Sequence, residues 1–517
     1  ISLGLVGSEM CIRDRINMIC QLIQNLINYG ISNELIAQDD SIFVRNQLMH
    51  ELQISEWKEP QSLPEMSLEE ILDGLLSYAC EQGIIIDSSA SRDLLDTKLM
   101  GHLTKMPHEV KMEFFRRYKT NARSATDWYY KFSRDTNYVR SGRIAKNICW
   151  TYKSDYGVFD ITINLSKPEK DPRDIAAALN SPKTNYPKCQ LCIENTGYAG
   201  RIAYPARQNL RPIPFRISDK EWFFQYSPYG YFNEHCIIFN GDHTPMSINP
   251  AVFEKLFDAL DFLPHYFIGS NADLPIVGGS ILTHEHFQGG RYTFAMERAG
   301  VEKEFLMPKT PGVWAGIVKW PMSVIRLQCE NRTVLANACC HILKAWRGYS
   351  DPEVGIFAET DGVLHNTITP IARMRGNRYE CDLVLRNNLT DKDHPLGIFH
   401  PNSALHHIKK ENIGLIEVMG LAVLPERLAR DIELMEKALC RGEDISGDKR
   451  LECHSKWFDN VRKRHPEADS SSAGDILKQE IGAVFEQVLL DAGVFKRTSE
   501  GLDRFNRFIE YLNRDSI

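Results

Sequence analysis

The side chains best suited to chemistry cluster in one stretch, Gly278-Gly279-Ser280-Ile281-Leu282-Thr283-His284-Glu285-His286-Phe287-Gln288-Gly289-Gly290. Read as a strand, it points His284, His286 and Gln288 to one face, because side chains alternate with a period of two. At a rise of about 3.3 Å per residue the two histidines stand roughly 6–7 Å apart. One imidazole can then bind a metal or brace the site while the other attacks a phosphorus centre. Glycine pairs flank the array on both sides, and glycine lets a backbone approach a phosphate with its N–H groups free to donate. Ser280 adds a hydroxyl donor. The plain structural reading, two surface histidines on an edge strand, explains neither the paired glycines nor the third polar side chain on that face.

A second group lies upstream. Cys189-Gln190-Leu191-Cys192 is a C-x-x-C pair, which reads either as half of a metal clip or as two ordinary buried thiols. The chain has 13 cysteines, an odd and scattered set without a secretory signal, as expected of free thiols in a reducing, cytoplasmic compartment. None has the context of a nucleophile, which argues against a cysteine-dependent hydrolase. Arg140 and Arg143 suit nucleotide phosphates, since guanidinium pairs well with phosphate; solvated surface arginines are the other reading.

Elements must hold these groups. In residues 18–110 the pattern is helical: Ile19, Leu22, Ile23, Leu26 and Ile27 form one apolar stripe that Gly30 is expected to stop. A second helix is expected from Glu69 to Gly83, with Ile71, Leu72, Leu75 and Leu76 at similar spacing. From about residue 145 the period changes, and Phe159, Ile161, Ile163 and Leu165 alternate with polar neighbours as in a half-buried strand. Further strands are expected at Trp222–Tyr226, His235–Phe239, His265–Ile268 and Tyr379–Leu385. Asn249-Pro250 opens a helix with Phe253, Leu256, Phe257 and Leu260 on one face, and Pro425 precedes another with Leu428, Ile432, Met435 and Leu439. The fold class that follows is α+β.

The bulk properties remove several classes. A chain of 517 residues is too long for one ordinary core, and 43% hydrophobic with 25% charged residues is a globular composition. A net charge of −7 gives no electrostatic footprint for nucleic acid, so an anionic substrate must be held by local donors. No apolar run is long enough for a transmembrane helix, so no membrane partner is expected. The opening ISLGLVGSEMCIRDR is too short in its apolar part for a signal peptide. It resembles the translated remnant of a sequencing adapter, so residues 1–17 read as a non-native leader with the native start near Met18.

His284-Glu285-His286-Phe287-Gln288 resembles the signature of the histidine-triad superfamily, in the transferase branch where glutamine replaces the third histidine. The run Gly269–Ser280 before it resembles the galactose-1-phosphate uridylyltransferase family, second or bacterial type. So do Asn137-Tyr138-Val139-Arg140, Arg143-Ile144-Ala145-Lys146-Asn147, Gln225-Tyr226-Ser227-Pro228-Tyr229 and Lys409-Lys410-Glu411-Asn412-Ile413-Gly414. The resemblance spans residue 18 to the end. It implies a helical region over 18–144, a catalytic histidine-triad-like domain over 145–300 and a related C-terminal domain with terminal helices over 301–517. The sheets would be mostly antiparallel with flanking helices.

The same resemblance implies a nucleotidyltransferase of galactose metabolism. His286 would attack the α-phosphorus of UDP-glucose, release glucose 1-phosphate, and pass UMP to galactose 1-phosphate. The leaving group is a stable anion and needs little acid help, which makes Gln288 intelligible as a donor to a phosphoryl oxygen. Unlike histidine, it does not readily shuttle a proton and so disfavours hydrolysis. Asn271 and Ser280 fall where the family places phosphate contacts. In the first type of the family, two cysteines, a distant histidine and the first histidine of H-x-H hold zinc; the matching residues here are Cys189, Cys192, His243 and His284, a structural zinc set. The first type's second metal site is represented only by His365. First-type members are homodimers. Two alternatives stand beside this reading: a related dinucleoside-polyphosphate phosphorylase or adenylyltransferase, and a non-catalytic zinc-stapled binding protein.

Overall fold

The structure is a computed structural model that describes residues 2–166, 184–279 and 281–514, with side chains from Arg15 onward. The chain divides into two compact units. One comprises Ile1–Ala145, Pro168–Pro214 and Phe223–Gly230, the other Lys146–Lys167, Phe215–Trp222 and Tyr231–Ile517.

The first unit is built on helices α1 (Ser2–Ser32), α2 (Ser41–Glu51), α3 (Leu68–Glu81), α4 (Ser89–Gly101), α5 (Pro107–Tyr118), α6 (Ala122–Asp135) and α7 (Ser141–Ile144). The expected stripe of α1 is buried at all five positions, and so are Ile71, Leu72, Leu75 and Leu76 of α3. The two helices meet closely at Gly74, where a Cβ would come within 2.8 Å of Leu22. Ser67 and Glu70 start α3 with a reciprocal capping box. Gly30 does not end α1, which runs two residues further. Its missing Cβ instead makes room for Leu103, a packing role that helical periodicity does not reveal.

The strands are β1 (Ile148–Ser154), β2 (Gly157–Ile163), β3 (Ile213–Ile217), β4 (Lys220–Tyr226), β5 (Cys236–Asn240), β6 (Phe267–Gly269), β7 (His286–Gly290), β8 (Val301–Phe305), β9 (Trp314–Val318), β10 (Val324–Cys329), β11 (Glu359–Thr360), β12 (Val363–Leu364), β13 (Asn366–Arg375), β14 (Arg378–Asn387) and β15 (Leu421–Leu424). One sheet has the order β1-β2-β15, and a ten-stranded sheet has the order β3-β4-β5-β7-β6-β13-β14-β10-β9-β8. Helices of the second unit are α8 (Ala251–Phe262), α9 (Ala295–Arg298), α10 (Arg332–Gly348), α11 (Leu415–Val418), α12 (Arg427–Arg441), α13 (Ser455–Arg464), α14 (Ala473–Ala492) and α15 (Ser499–Leu512).

The large sheet has an internal two-fold plan. In each half a three-strand run (β3-β4-β5 or β8-β9-β10) is followed by a helix (α8 or α10) and a hairpin (β6-β7 or β13-β14), and the halves join at β6 and β13. No residue-level repeat announces this plan. The inner face of β2 is apolar as its alternation implies, with Phe159, Ile161 and Ile163 fully buried, although the strand stops before Leu165. Phe253, Leu256, Phe257 and Leu260 bury one side of α8, and Leu428, Met435 and Leu439 bury one side of α12. Among the described residues, no helix is long and apolar enough to cross a membrane.

One expectation needs correcting. The strand drawn through Gly278–Gly290 is confined to β7, which begins only at His286. The backbone ahead of it is tied to a loop instead of a ladder: Met246 N–H donates to Leu282 O at 2.8 Å and Glu285 N–H to Thr244 O at 2.7 Å. His284 therefore lies in the approach to the strand and not on it.

Candidate active site

β7 lies between β5 and β6, with Phe239 opposite His286 and Ile237 and Gly269 opposite Gln288. Two residues apart on one strand, His286 and Gln288 share a face. His286 is 6% exposed. Its Nδ1 lies 2.8 Å from the carbonyl oxygen of His284. A carbonyl only accepts, so Nδ1 carries the proton and Nε2 keeps its lone pair. Burial brings the His286 pKa down to about 4, against an opposing pull from that carbonyl. The ring is thus a neutral imidazole with one nitrogen already spoken for and the other open to attack.

Glu285, between the two histidines, faces the other way and anchors the segment. It accepts from Asn240 Nδ2 at 2.8 Å and pairs with Lys255 of α8. The carbonyl of Asn240 in turn accepts from His284 Nε2 at 2.7 Å. Behind β7, Phe287 stacks on Trp222 with ring centroids 5.1 Å apart.

Gln288 Oε1 lies 3.0 Å from Nε2 of His235, immediately ahead of β5. Asn271, two residues beyond the strand residue that pairs with Gln288, accepts the N–H of Leu415 on its Oδ1 at 2.9 Å. Gly279 presses against the same amide: a Cβ there would sit 2.7 Å from Asn271 Nδ2. Ser280 lies outside the described residues. Arg140 and Arg143 are engaged within their own unit, Arg140 with Asp96 at 2.5 Å and Thr97 at 3.1 Å, Arg143 with Asp93 through both Nη atoms. His365 lies between Thr360 and Asn388, 2.6 and 3.0 Å away.

The metal candidates occur as two pairs. In the first unit, the Cys189 and Cys192 sulfurs are 3.6 Å apart. Two thiolates on one tetrahedral zinc, each at about 2.3 Å, stand about 3.8 Å apart, so this spacing fits. Leu191 N–H points at Cys189 Sγ at 3.4 Å, and Asn195 Nδ2 ties the carbonyls of Cys189 and Cys192 together at 2.9 and 2.7 Å. In the second unit, the His243 and His284 rings lie 4.9 Å apart. His284 Nε2 donates to the carbonyl of Asn240, the kind of backbone contact that orients metal-binding histidines. Each pair offers side chains of the kinds that zinc takes.

Sequence reasoning did not single out His235, Asn240, Glu285 or Lys255. Only His235 left a trace, as the first residue of an expected strand in period with Ile237 and Phe239.

A neutral buried imidazole, an amide on the same face and glycine-lined backbone are groups suited to phosphoryl chemistry. Residues 34–245 match the N-terminal domain of galactose-1-phosphate uridyl transferase and residues 259–459 its C-terminal domain. The chain belongs to that family. Galactose-1-phosphate uridylyltransferase of Fusobacterium nucleatum is 51% identical over 505 residues, covering 96% of this chain and 99% of the relative. The enzymes of that name from Clostridium acetobutylicum (51% over 498 residues, 96% and 100% covered) and Bacillus subtilis (47% over 511 residues, 96% and 99% covered) are similar throughout. The crystal structure of yeast Ap4A phosphorylase Apa2 has a TM-score of only 0.33 and 9% identity, covering 68% of this chain and 95% of that one.

Proposed function

We propose that the protein transfers UMP from UDP-glucose to galactose 1-phosphate through a uridylyl-histidine at His286. Nε2 of His286 forms a bond to the α-phosphorus of UDP-glucose, and the bond to the bridging oxygen breaks with its electron pair on glucose 1-phosphate. A phosphate oxygen of galactose 1-phosphate then attacks the same phosphorus, giving UDP-galactose and returning the lone pair to Nε2. The observation that carries this reading is the His286 Nδ1–H donated to His284 O, which leaves Nε2 unprotonated without help from a separate base. The amide groups of Gln288 and Asn271 stabilise charge on the non-bridging oxygens, with Ser280, Arg140 and Arg143 as further phosphate contacts.

In this reading Cys189, Cys192, His243 and His284 ligate one zinc ion, supported by the sulfur spacing and by the backbone carbonyl that orients the His284 ring. Its chemistry is structural: it fixes the segment whose carbonyl orients His286. The family resemblance extends the proposal to a homodimer acting in the cytoplasm; a monomeric mass in analytical ultracentrifugation would count against the dimer.

Steady-state kinetics with both substrates varied test the reaction. UDP-galactose should form with parallel double-reciprocal lines, and intersecting lines would exclude the two-step route.

A further inference from the structure

We infer that His235 is a positioning residue that fixes which end of the Gln288 amide meets the transferred phosphoryl group. The inference rests on the proposed roles of His286 and Gln288. His235 is 3% exposed, between the rings of Phe232 at 4.5 Å and Tyr231 at 5.3 Å. Its Nε2 lies 3.0 Å from Gln288 Oε1, while its buried Nδ1 has no hydrogen-bond partner among the described residues. Burial lowers its pKa to about 4, so the ring holds one proton, and only Nε2 has an acceptor to receive it.

The consequence falls on Gln288. An amide has an accepting oxygen and a donating nitrogen that swap places by a half-turn about the last torsion. With Oε1 held by His235, the NH₂ end is the one left to face incoming phosphoryl oxygens. The flipped amide would present oxygen to anionic oxygens and repel them. An imidazole has little other reason to be here: the pocket is aromatic, a phenylalanine would fill it, and the histidine leaves one ring nitrogen unpaired.

Position reinforces the point. Cys236 pairs with Gly289 and Ile237 with Gln288, so His235 and Gln288 are diagonal neighbours on one face of the sheet. The donor thus comes from the residue that leads into β5, the strand beside that of the nucleophile, in a register that cannot slip without moving His286.

The test is the rate of uridylyl-enzyme formation, followed by rapid quench with UDP-glucose. His235→Phe should slow it about tenfold or more, and His235→Gln, which returns a donor near the Nε2 position, should recover most of the loss. In a Gln288→Ala background, His235→Phe should have no further effect, because the amide it orients is gone. Losses that multiply in the double variant, or a His235→Phe enzyme as fast as wild type, would overturn the inference while leaving the histidine mechanism standing. A folded wild type that forms no adduct would overturn both.

Discussion

The main-chain carbonyl of His284 and the imidazole of His286 are joined by a 2.8 Å hydrogen bond from Nδ1. The residue two places before His286 thus sets the tautomer of that ring through its backbone carbonyl. Histidine-selective ¹⁵N NMR should find His286 neutral with the proton on Nδ1. A ring protonated on Nε2 at neutral pH would contradict the arrangement.

The close approach of Gly279 to Asn271 carries a second expectation. Alanine at 279 places a methyl carbon about where the Asn271 amide nitrogen needs room, 2.7 Å away. Gly279→Ala should lower kcat/KM about tenfold, equivalent to about 1.4 kcal/mol of transition-state stabilisation, with folding intact by circular dichroism. Unchanged kinetics would mean that the Asn271 amide is not needed where it stands.

Zinc content can be measured directly. Purified protein should hold about one zinc per chain by elemental analysis, and Cys192→Ser should lose it together with several degrees of melting temperature. Full occupancy in the variant would remove Cys192 from the ligand set.

Much of this was legible in the sequence, for identifiable reasons. The stripes of α1, α3 and α8 and the alternation of β2 are local patterns that burial enforces directly, and they appear where periodicity puts them. The irregular approach to His286 was not legible, because its backbone partners, Thr244 and Met246, lie about 40 residues upstream in a loop. The ion pairs of Arg140 and Arg143 with Asp96 and Asp93 of α4 were not legible either, because they join residues far apart in the chain. The role of His235 depends on the register of β5 against β7, which no single-strand pattern encodes.

A buried charge network in the second half of the large sheet should dominate stability there. Asp382 accepts from Arg326 Nε at 2.6 Å and from Arg373, which also reaches Glu380 at 2.6 Å. Arg326 continues to the carbonyls of Met296, Glu297 and Ala299 at and just beyond α9. Asp382→Ala leaves two buried guanidinium groups without their shared carboxylate and should cost about 3–5 kcal/mol in chemical denaturation. A loss under 1 kcal/mol would show the network to be incidental.

Stability should also fall in mild acid. His454 Nε2 faces Asp431 at 3.3 Å, and its Nδ1 lies 2.9 Å from Nδ1 of His407. With His454 donating to the carboxylate, the shared contact holds a single proton. Burial lowers both pKa values, that of His407 to about 4. An unfolded histidine titrates near 6.5, so between these values the unfolded chain binds more protons. The contribution is complete above about pH 6.5 and is lost as pH falls toward 4, on the order of 3 kcal/mol for His407. His407→Gln should flatten that part of the melting-temperature profile; a profile as steep as wild type would place the sensitivity elsewhere.

The central claim is the covalent histidine, and intact-mass spectrometry after incubation with UDP-glucose alone tests it most directly. The wild type should gain the mass of one uridylyl group. The gain should be absent in His286→Ala and discharged by galactose 1-phosphate. Folded, metal-replete protein that gains no mass, or a His286→Ala variant that gains it equally, would contradict the account.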